Sequence, residues 1–446
     1  MKVYLDLVGC RLNQSEIEFF ARQFRAAGHE LVANPNKADV AVINTCTVTR
    51  KAASDSRKKI RQMAREGVRE IVVTGCWATL DAQEAASMPN VSRVVPNTEK
   101  EHLVPDWLRI PPQEINLATI ARQPLPGPRS RTRSFIKVQD GCDNHCAYCV
   151  TTIARGPSRS RPISAILADI HAATQGGTKE VILTGAHIGS WGRDLSPPLH
   201  LGYLVKTILH ESDIPRLRIS SLEPWDLEID FLSLWEEPRL CRQIHLPLQS
   251  GCETTLRRMA RNTIPQAFAE LVAAALSACP EIAITTDIIV GFPGESEDDF
   301  AESLGFVRRI EFAGGHVFTF SARPGTAAAR MPDQVPYHQS IVRNAQMRSL
   351  LEQAARTYRS RFIGKTLPVL WETAVTGESG NWLLTGLTDN YIRVTATSPV
   401  NLWNQITPVH LLEMTRHGLY GTLANQVEFP CRVLSLTRSY SPGEQL

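Results

Sequence analysis

The sequence predicts an α/β protein built from three parts: an N-terminal parallel α/β domain, a central partial (β/α)6 barrel and a small C-terminal β-barrel. Three observations predict this arrangement. Strand-like and helix-like segments alternate over the first hundred residues and again from 135 to about 326, a proline-rich connector separates the two stretches, and short β-like runs follow Gly364. A chain of 446 residues is also long enough for two or three hydrophobic cores.

The first part, residues 1–110, has the pattern of a small parallel sheet. Its strand segments are rich in Val and Ile and are bounded by polar residues, and its helical segments end at Gly28 and Gly67. A linker follows at 111–134, within a stretch (105–134) that contains six prolines. The predicted strands are Lys2–Val8, Asp39–Asn44 and Glu70–Thr74, and the predicted helices are Ser15–Ala27 and Ala52–Glu66.

The second part, residues 135–363, repeats the strand–helix alternation six times. Six units are fewer than the eight of a closed barrel, so an open barrel is predicted. An amphipathic, Arg-bearing helix at 338–362 completes this part. The predicted strands are Phe135–Gln139, Glu180–Gly185, Leu217–Ser221, Gln243–Pro247, Ala283–Val290 and His316–Phe320.

The third part, residues 364–435, consists of β-like runs separated by Gly, Asn and Pro, which is typical of a small β-barrel of OB-like size; 436–446 is a tail. From Thr366 onward there are four Arg and six acidic residues, a net charge of −2, so this part makes a poor general phosphate clamp. Base contacts from Tyr391, Trp382 or Trp403 stay open. The predicted strands are Leu367–Glu372, Trp382–Thr388 and Tyr391–Thr395.

The composition, 43% hydrophobic and 21% charged, is typical of a soluble globular protein. The start of the chain carries Asp6 and has neither a long apolar run nor a small-residue cleavage site. We therefore expect no signal peptide, no membrane span and a cytoplasmic location, where the ten cysteines would be reduced and available for metal or catalytic chemistry. Basic patches at 50–70 and 129–161 are compatible with a phosphate footprint or with ordinary solvated charge.

The strongest site signal is GCDNHCAYC at 141–149, directly after a predicted strand. Cys142, Cys146 and Cys149 have C-x3-C-x2-C spacing, and a short loop with a leading Gly can deliver three thiolates to different irons of one cluster. Because such clusters are normally held by four cysteines, three leave one iron open to a ligand. The alternative is a structural zinc site with His145 as fourth ligand, although its position between two ligands makes that reach difficult.

A second set, Cys10, Cys46 and Cys76, falls at or just beyond the carboxyl ends of three predicted strands. Ligands bind outside those ends in an open parallel sheet, so a second cluster is predicted there. Three independent buried thiols are the alternative, but core thiols have no reason to occupy the same topological position three times. The remaining cysteines show no such placement and are interpreted as ordinary buried thiols: Cys241, Cys252, Cys279 and Cys431.

The 141–149 loop resembles the signature of the radical S-adenosylmethionine (SAM) superfamily, including an aromatic residue, Tyr148, before the last Cys. This resemblance implies that Cys142, Cys146 and Cys149 form the catalytic [4Fe–4S] site, whose open iron binds the amino and carboxylate groups of SAM. One electron then cleaves SAM to a 5′-deoxyadenosyl radical. The cofactor supplies the difficult chemistry, and a reducing protein of flavodoxin-like type supplies the electron.

The two cysteine sets and the three parts together resemble the methylthiotransferase family over essentially the whole chain. The resemblance implies that Cys10, Cys46 and Cys76 hold an auxiliary [4Fe–4S] cluster that supplies or relays sulfur, that one SAM gives the methyl group and another the radical, and that the third part is TRAM-like. The runs that carry it are GCRLNQSE (9–16), NTCTVT (44–49), VTGC (73–76), ARGPSRSR (154–161), LTGAHIG (183–189), ISSLEP (219–224), LPLQSG (246–251), DIIVGFPGE (287–295) and FSARPGTAAARMPDQV (320–335).

Two of these runs, NTCTVT and PGTAAARM, most resemble the branch that adds methylthio to C2 of N6-threonylcarbamoyladenosine at tRNA position 37, which implies tRNA as the partner. The branch acting on a ribosomal protein aspartate typically has Pro-Lys-Asn after the first Cys, where this chain has Arg11-Leu12-Asn13. That branch, the branch acting on isopentenyl-adenosine and a zinc-bound RNA-binding scaffold stay open as alternatives. The oligomeric state is not predicted.

The family resemblance also implies where SAM is bound. Glycines in 290–294 permit close approach to the adenine. Arg155, Arg159 and Arg161 are predicted to meet substrate phosphate or the SAM carboxylate, with surface ion pairing as the alternative. The SAM contacts, each with barrel-top packing as its alternative, are Thr184 and Gly185 at the amino group, Ser221 and Glu223 near the methionine and ribose, and Gln249 and Ser250 at the ribose or carboxylate.

Overall fold

The first part of the chain folds around a five-stranded parallel sheet; the computed structural model describes residues 1–115, 117, 120–126, 132–377 and 380–424. Its elements are β1 (Lys2–Leu7), α1 (Arg11–Ala26), β2 (Glu30–Leu31), β3 (Val40–Thr45), α2 (Arg50–Arg65), β4 (Glu70–Gly75), α3 (Cys76–Leu80), α4 (Ala82–Ala86), β5 (Val91–Val95) and α5 (Leu103–Leu108). The strand order is β2-β1-β3-β4-β5, and every pair is parallel. The predicted N-terminal α/β domain is confirmed.

One helix boundary in this domain differs from the prediction in a way that matters for the site. Helix α1 begins at Arg11 and not at Ser15. Cys10 has an extended backbone and stands at the N-cap, while Leu12 is already buried in the core, so the helix starts directly after the cysteine. Cys10 is therefore at the N-terminal, positive end of a 16-residue helix.

The central part forms an open arc of six parallel strands, as predicted. Its elements are β6 (Arg133–Lys137), β7 (Gln139–Asp140), α6 (Thr151–Arg155), β8 (Arg159–Ser160), α7 (Ile163–Gln175), β9 (Glu180–Thr184), α8 (Leu201–Glu211), β10 (Arg216–Ile219), β11 (Gln243–His245), α9 (Glu253–Arg258), α10 (Pro265–Ala278), β12 (Ala283–Val290), α11 (Glu297–Arg309), β13 (Gly314–Thr319) and α12 (Tyr337–Ser360). The six strands of the arc form two sheets, β6-β9-β10 and β11-β12-β13, and β7 pairs with β8 in a separate two-stranded sheet. Single bridges between Leu217 and Leu240 and between Ser221 and His245 join the two sheets of the arc.

Strand β12 shows how this arc separates core from cleft. Ile284, Thr286 and Ile288 are buried on its helix-covered side, whereas Thr285, Asp287 and Ile289 are partly open. Alternate residues of a strand point to opposite faces, so the second set lines the inside of the arc. A polar side chain at position 287 therefore faces the interior of the barrel.

The third part is a closed five-stranded barrel, which confirms the predicted architecture. Its strands are β14 (Thr366–Thr376), β15 (Trp382–Thr388), β16 (Arg393–Ser398), β17 (Ile406–Met414) and β18 (Leu419–Leu423), in the order β14-β15-β16-β18-β17. The strand predicted from Tyr391 begins only at Arg393, because Tyr391 occupies the left-handed region at φ 67° and belongs to a turn. Strands β17 and β18 were not predicted; Cys431 and the tail lie outside the described residues.

Among the described residues, no helix combines the length and apolar character needed to cross a lipid bilayer.

Candidate active site

The first cysteine set lies at the carboxyl edge of the N-terminal sheet. Cys10, Cys46 and Cys76 follow β1, β3 and β4, which are parallel neighbours, and all three are reduced. Gly9 permits their close approach: its φ is 108°, and a Cβ there would lie 2.5 Å from the Cβ of Cys46 and 2.6 Å from its Sγ. Only glycine fits this position, so the chain forms a cradle that brings the Cys10 loop against Cys46.

Without a bound cation, the electrostatics of this edge favour neutral thiols over thiolates. Burial and the neighbouring Cys10 and Cys76 raise the pKa of Cys46 to about 12. Desolvation deep in the cleft also raises the pKa of Cys10, and the Arg155 guanidinium opposes that rise. Three thiolates at this edge therefore need positive charge, which iron provides because metal binding displaces the thiol protons. The donor set fits an iron–sulfur cluster on that ground.

The second cysteine set lies on the loop between β7 and α6. Cys142 donates its backbone N–H to Gly156 at 3.1 Å, and the Cys149 N–H bonds to the Cys146 carbonyl at 3.1 Å, which folds the loop tightly. The side chains of all three cysteines are partly exposed, not buried in the core. Gly141, at φ 73°, lets the loop pass so close to Pro157 that a Cβ would lie 1.9 Å from the Pro157 carbonyl oxygen.

Two charged side chains that the sequence interpretation did not pair meet beside this loop. Arg261 lies 3.9 Å from Cys146 Sγ and donates to Glu223 at 2.7 Å. Its side chain is buried and its guanidinium stacks over Trp225, 4.5 Å from the ring centroid. A guanidinium and a carboxylate thus stand together beside the cluster loop, the pair of charges that the carboxylate and amino groups of an amino acid would need.

A histidine also approaches the loop. His187 Nε2 lies 2.5 Å from Asp226 Oδ2. Burial opposes ionisation of this ring, but hydrogen bonds to Asp226 and Cys142 raise the pKa of His187 to about 9. His145, the zinc ligand considered in the alternative interpretation, is exposed. In the part of the chain that the structure describes, no three or more His, Cys, Asp or Glu side chains stand close enough together to hold a metal ion, and this holds for both cysteine sets as well.

A cleft joins the first cysteine set to the inside of the barrel. It encloses about 2430 Å³, including space open to solvent, and all three parts of the chain line it. Asp287 contributes an Oδ1 atom that is buried without a hydrogen-bond partner, while its Oδ2 lies 3.4 Å from His245. An unmet acceptor of this kind fits a hydroxyl or amino donor of a ligand. The lining includes Cys10, Cys46, Cys76, Thr184, Gly185, Ser221, His245, Asp287, Tyr391, Arg393 and His417.

The SAM contacts expected from sequence are distributed unevenly around this cleft. Thr184, Gly185 and Ser221 line the cleft. Glu223 accepts a hydrogen bond from Arg261, which in turn lies next to Cys146 of the cluster loop. Gln249 has φ 70° and pairs through its backbone with β12. Ser250 is 1% exposed, and its hydroxyl accepts from the Cys252 N–H at 3.2 Å, so the structure does not bring its side chain to the cleft.

Gly291, one of the glycines expected to approach the adenine, is required by the packing of the protein itself. Gly291 has φ 71°, and a Cβ there would lie 2.1 Å from the Ser340 hydroxyl of α12. Its N–H donates to Glu295 at 2.6 Å. The packing of α12 therefore requires glycine at this position, whatever the 290–294 backbone contacts.

The arginine run after the cluster loop is turned inward, which corrects one expectation. Arg155 is 3% exposed and makes ion pairs at 2.9 Å with Glu16 and with Asp140, so it is not available to substrate phosphate. Arg161 pairs with Asp169 at 2.9 Å. Arg159 remains exposed and bonds only to nearby carbonyls among the described contacts.

Sequence reasoning missed Arg261 and Asp287. Arg261 follows a six-residue helix, α9, and nothing in its local sequence distinguishes it from a surface arginine. Asp287 is the first residue of the DIIVGFPGE run, in which the sequence assigned a role only to the glycines. The alternation of β12 does indicate that this carboxylate points into the barrel.

Comparisons with known proteins agree with this architecture. Residues 2–96 match the uncharacterized protein family UPF0004, and residues 136–307 match the radical SAM superfamily. The chain is 33% identical to the threonylcarbamoyladenosine tRNA methylthiotransferase MtaB of Bacillus subtilis, over 92% of this chain and 94% of that protein. It is 32% identical to the protein of the same name from Thermotoga maritima, over 96% and 98%.

A differently named relative and a solved structure complete the comparison. The tRNA-2-methylthio-N(6)-dimethylallyladenosine synthase of Anaplasma marginale is 31% identical over 82% of this chain and 84% of that protein. The radical SAM methyltransferase TsrM from Kitasatospora setae shares the fold, with a TM-score of 0.54 and 12% identity over 73% of this chain and 76% of that one. This chain is an enzyme that uses [4Fe–4S] clusters and SAM, and it belongs to the radical SAM methylthiotransferase family.

Proposed function

We propose that this enzyme adds a methylthio group to C2 of N6-threonylcarbamoyladenosine at position 37 of tRNA. The observation that carries the proposal is the single cleft on which the auxiliary thiols, the barrel interior and the C-terminal barrel all open. Relatives named for this substrate match more than 90% of the chain. The NTCTVT and PGTAAARM runs support the same branch.

The cluster roles follow from the two cysteine sets. Cys142, Cys146 and Cys149 are proposed to hold the SAM-cleaving cluster, and Cys10, Cys46 and Cys76 the auxiliary cluster. When bound, these groups supply the radical that activates a C–H bond and the sulfur that replaces the hydrogen. The protein supplies orientation and excludes water.

Residues of the barrel are proposed to orient SAM. Arg261 would bind its carboxylate and Glu223 its amino group, because both lie beside Cys146 and already form a charge pair. Asp287 would accept from a ribose hydroxyl through its unpartnered oxygen. Thr184 and Gly185, at the end of β9, would complete the wall of this site.

The substrate base is proposed to pack on Tyr391. Its ring lies over the Arg218 guanidinium at 5.2 Å, and its hydroxyl accepts from Arg11, the residue after Cys10, at 3.2 Å. Both contacts hold an aromatic side chain in the cleft wall close to the auxiliary site. Base–aromatic stacking is the usual way in which proteins hold an unstacked base.

The tRNA backbone is proposed to lie along α2, which begins four residues after Cys46. Lys51, Lys58, Arg61 and Arg65 are exposed on its outer side, so the helix presents phosphate-binding charge next to the auxiliary site. A cytoplasmic enzyme supplied with electrons by a flavodoxin-like protein is consistent with this proposal.

The decisive test is nucleoside mass spectrometry of tRNA from cells that lack the gene. Methylthio-threonylcarbamoyladenosine should disappear, its unmethylthiolated precursor should accumulate, and the wild-type gene should restore it, whereas a variant with Cys10, Cys46 and Cys76 changed to Ala should not. If this nucleoside persists and methylthio-isopentenyl-adenosine is lost instead, the assignment passes to the other tRNA branch. Loss of methylthio-aspartate from a ribosomal protein, with both nucleosides intact, would assign the protein-modifying branch.

A further inference from the structure

A single turn of helix lies between the two cysteine sets. Thr151 begins α6, and its N–H lies 3.3 Å from Cys149 Sγ. At the other end, the Ala154 carbonyl accepts from Asn97 Nδ2 at 2.6 Å, and the same Nδ2 lies 3.6 Å from Cys76 Sγ. Helix α6 therefore contacts a cysteine of one set directly and a cysteine of the other set through Asn97.

Arg155, the last residue of α6, extends this connection into the N-terminal domain. Its Nη1 donates to Glu16 Oε1 and to Asp140 Oδ1, each at 2.9 Å. Its Nη2 donates to Asn13 Oδ1 at 2.9 Å. One planar guanidinium thus joins α1 to the strand that precedes the cluster loop, a geometry that lysine cannot reproduce.

Two of the three acceptors of Arg155 lie next to the two cysteine sets. Asn13 Oδ1 lies 3.8 Å from Cys10 Sγ. Asp140 Oδ1 accepts from the N–H of Gly141, the residue before Cys142, at 2.8 Å. A chain of close contacts therefore leads from Cys10 through Asn13, the Arg155 guanidinium and Asp140 to the residue before Cys142.

Arg155 lies at the wall of the cleft, but its guanidinium is committed to acceptors of the protein itself. It is 3% exposed, and Glu16 is also held by Lys100 at 2.7 Å, while Lys137 lies 3.5 Å from Asp140. The carboxylates are thus neutralised from both sides. What Arg155 adds is a rigid fork and a positive charge held against Asn13, whose Oδ1 lies 3.8 Å from Cys10 Sγ of the auxiliary set.

We propose that Arg155 is a positioning residue that holds the auxiliary cysteine set in register with the SAM-cleaving loop, and that its charge stabilises the reduced auxiliary cluster. Hydrogen bonding and net charge around the ligands set the potential of an iron–sulfur cluster. Partners just beyond the ligands typically change metal affinity or activity by about 10–100-fold when they are removed. The inference goes beyond the proposed substrate and does not depend on it.

The test compares R155K, which keeps the charge but not the fork, with R155Q, which loses both. Because R155Q leaves buried carboxylates facing a neutral side chain, the double variant E16Q/R155Q removes one charge of each sign and keeps the net charge of the junction unchanged. The matched control is R22Q. Arg22 also joins α1 to the barrel, through Asp169 at 2.5 Å, but contacts neither cysteine set.

Each full-length variant is reconstituted anaerobically and measured for iron content, 5′-deoxyadenosine formed, methylthiolated product, and the midpoint potential of the auxiliary cluster by redox titration followed by EPR. The potential is measured without tRNA in a background with the three loop cysteines changed to Ala, so a wrong substrate assignment cannot affect it. We expect R155Q and E16Q/R155Q to keep SAM cleavage and to lose methylthiolated product by about 10–100-fold. The potential should shift to more negative values in R155Q, and by a smaller amount in the double variant, where the loss of the Glu16 charge opposes the shift.

R155K should keep the potential near that of the wild type while losing product, and R22Q should change neither. An unchanged potential and product yield in E16Q/R155Q would overturn the proposal, as would an equal loss of product in R22Q. A loss of 5′-deoxyadenosine in parallel with product would also overturn it, because the defect would then lie in the SAM-cleaving loop and not in the register between the two sets.

Discussion

Neutralising Glu180 should destabilise the junction between the central barrel and the C-terminal barrel. Glu180 and Arg218 are both fully buried and are joined by two hydrogen bonds, of 2.8 and 3.2 Å. Arg218 also donates to the Asp389 carbonyl at 2.9 Å and supports the ring of Tyr391. The pair therefore anchors the turn that carries an aromatic residue into the cleft.

The size of the effect follows from the pKa of Glu180. Burial alone would raise it, but Arg218, with Arg133 and Arg216 nearby, lowers it from 4.5 to about 2. At about 1.4 kcal/mol per pKa unit, this shift corresponds to about 3 kcal/mol. Removal of one partner from a buried pair costs about 3–5 kcal/mol, which agrees.

The sign of the pH dependence is fixed by the direction of the shift. The pKa of Glu180 is lower in the folded protein than in the unfolded chain, so its contribution to the free energy of unfolding is fully present above about pH 4.5. It is lost as the pH falls from there to about 2. E180Q removes the titrating group, and its stability should depend less steeply on pH across this range.

Urea unfolding, followed by fluorescence of the tryptophans in the C-terminal barrel core such as Trp371, measures the junction directly. We expect E180Q to lower the free energy of unfolding by about 3 kcal/mol at pH 7. The double variant E180Q/R218M should recover only part of it, because Met removes the unpaired buried charge but leaves the Asp389 carbonyl without its donor. The reasoning is refuted if E180Q has wild-type stability at pH 7, or if wild type and E180Q lose stability in parallel between pH 5 and pH 3.

Three further outcomes test the site. Changing Cys10, Cys46 and Cys76 together to Ala should roughly halve the iron content and abolish methylthiolation while 5′-deoxyadenosine still forms; persistent methylthiolation would remove the auxiliary cluster from the reaction. R261Q should weaken SAM binding by about 10–100-fold, as expected for one charge-assisted contact, with R261K intermediate; equal SAM affinity by equilibrium dialysis would exclude the contact. Y391A should raise the KM for tRNA by about 5–100-fold, the range for one stacked base, without changing SAM cleavage in the absence of tRNA; an unchanged KM would contradict the stacking role.

The architecture was largely predictable because hydrophobic periodicity and cysteine position report local structure. The alternation in Ala283–Val290 gave a strand with the same bounds in the structure. Cys10, Cys46 and Cys76 could be assigned to one edge because parallel neighbouring strands end on the same side of a sheet. Both inferences need only the order of segments along the chain.

The side-chain pairings were not predictable, because they join residues that are far apart along the chain. Arg155 and Glu16 are 139 residues apart, and Arg261 and Glu223 are 38 apart, so their contacts depend on how complete elements pack. A basic run such as ARGPSRSR looks exposed in sequence. The short helix α6 ends at Arg155 and directs it toward α1, where two acceptors on that helix are already buried.

The structure explains part of the net negative charge of the C-terminal barrel by its contacts with the central barrel. Glu372 pairs with Arg133 at 2.7 Å, and Asp389 pairs with Arg242 at 2.6 Å, so two of its six acidic residues face the central barrel. Negative charge that docks this part onto arginines of the barrel is not presented to the phosphates of an RNA. The C-terminal barrel therefore contributes the position of Tyr391, and the salt dependence of tRNA binding should come from the basic face of α2, where neutral substitutions should reduce it.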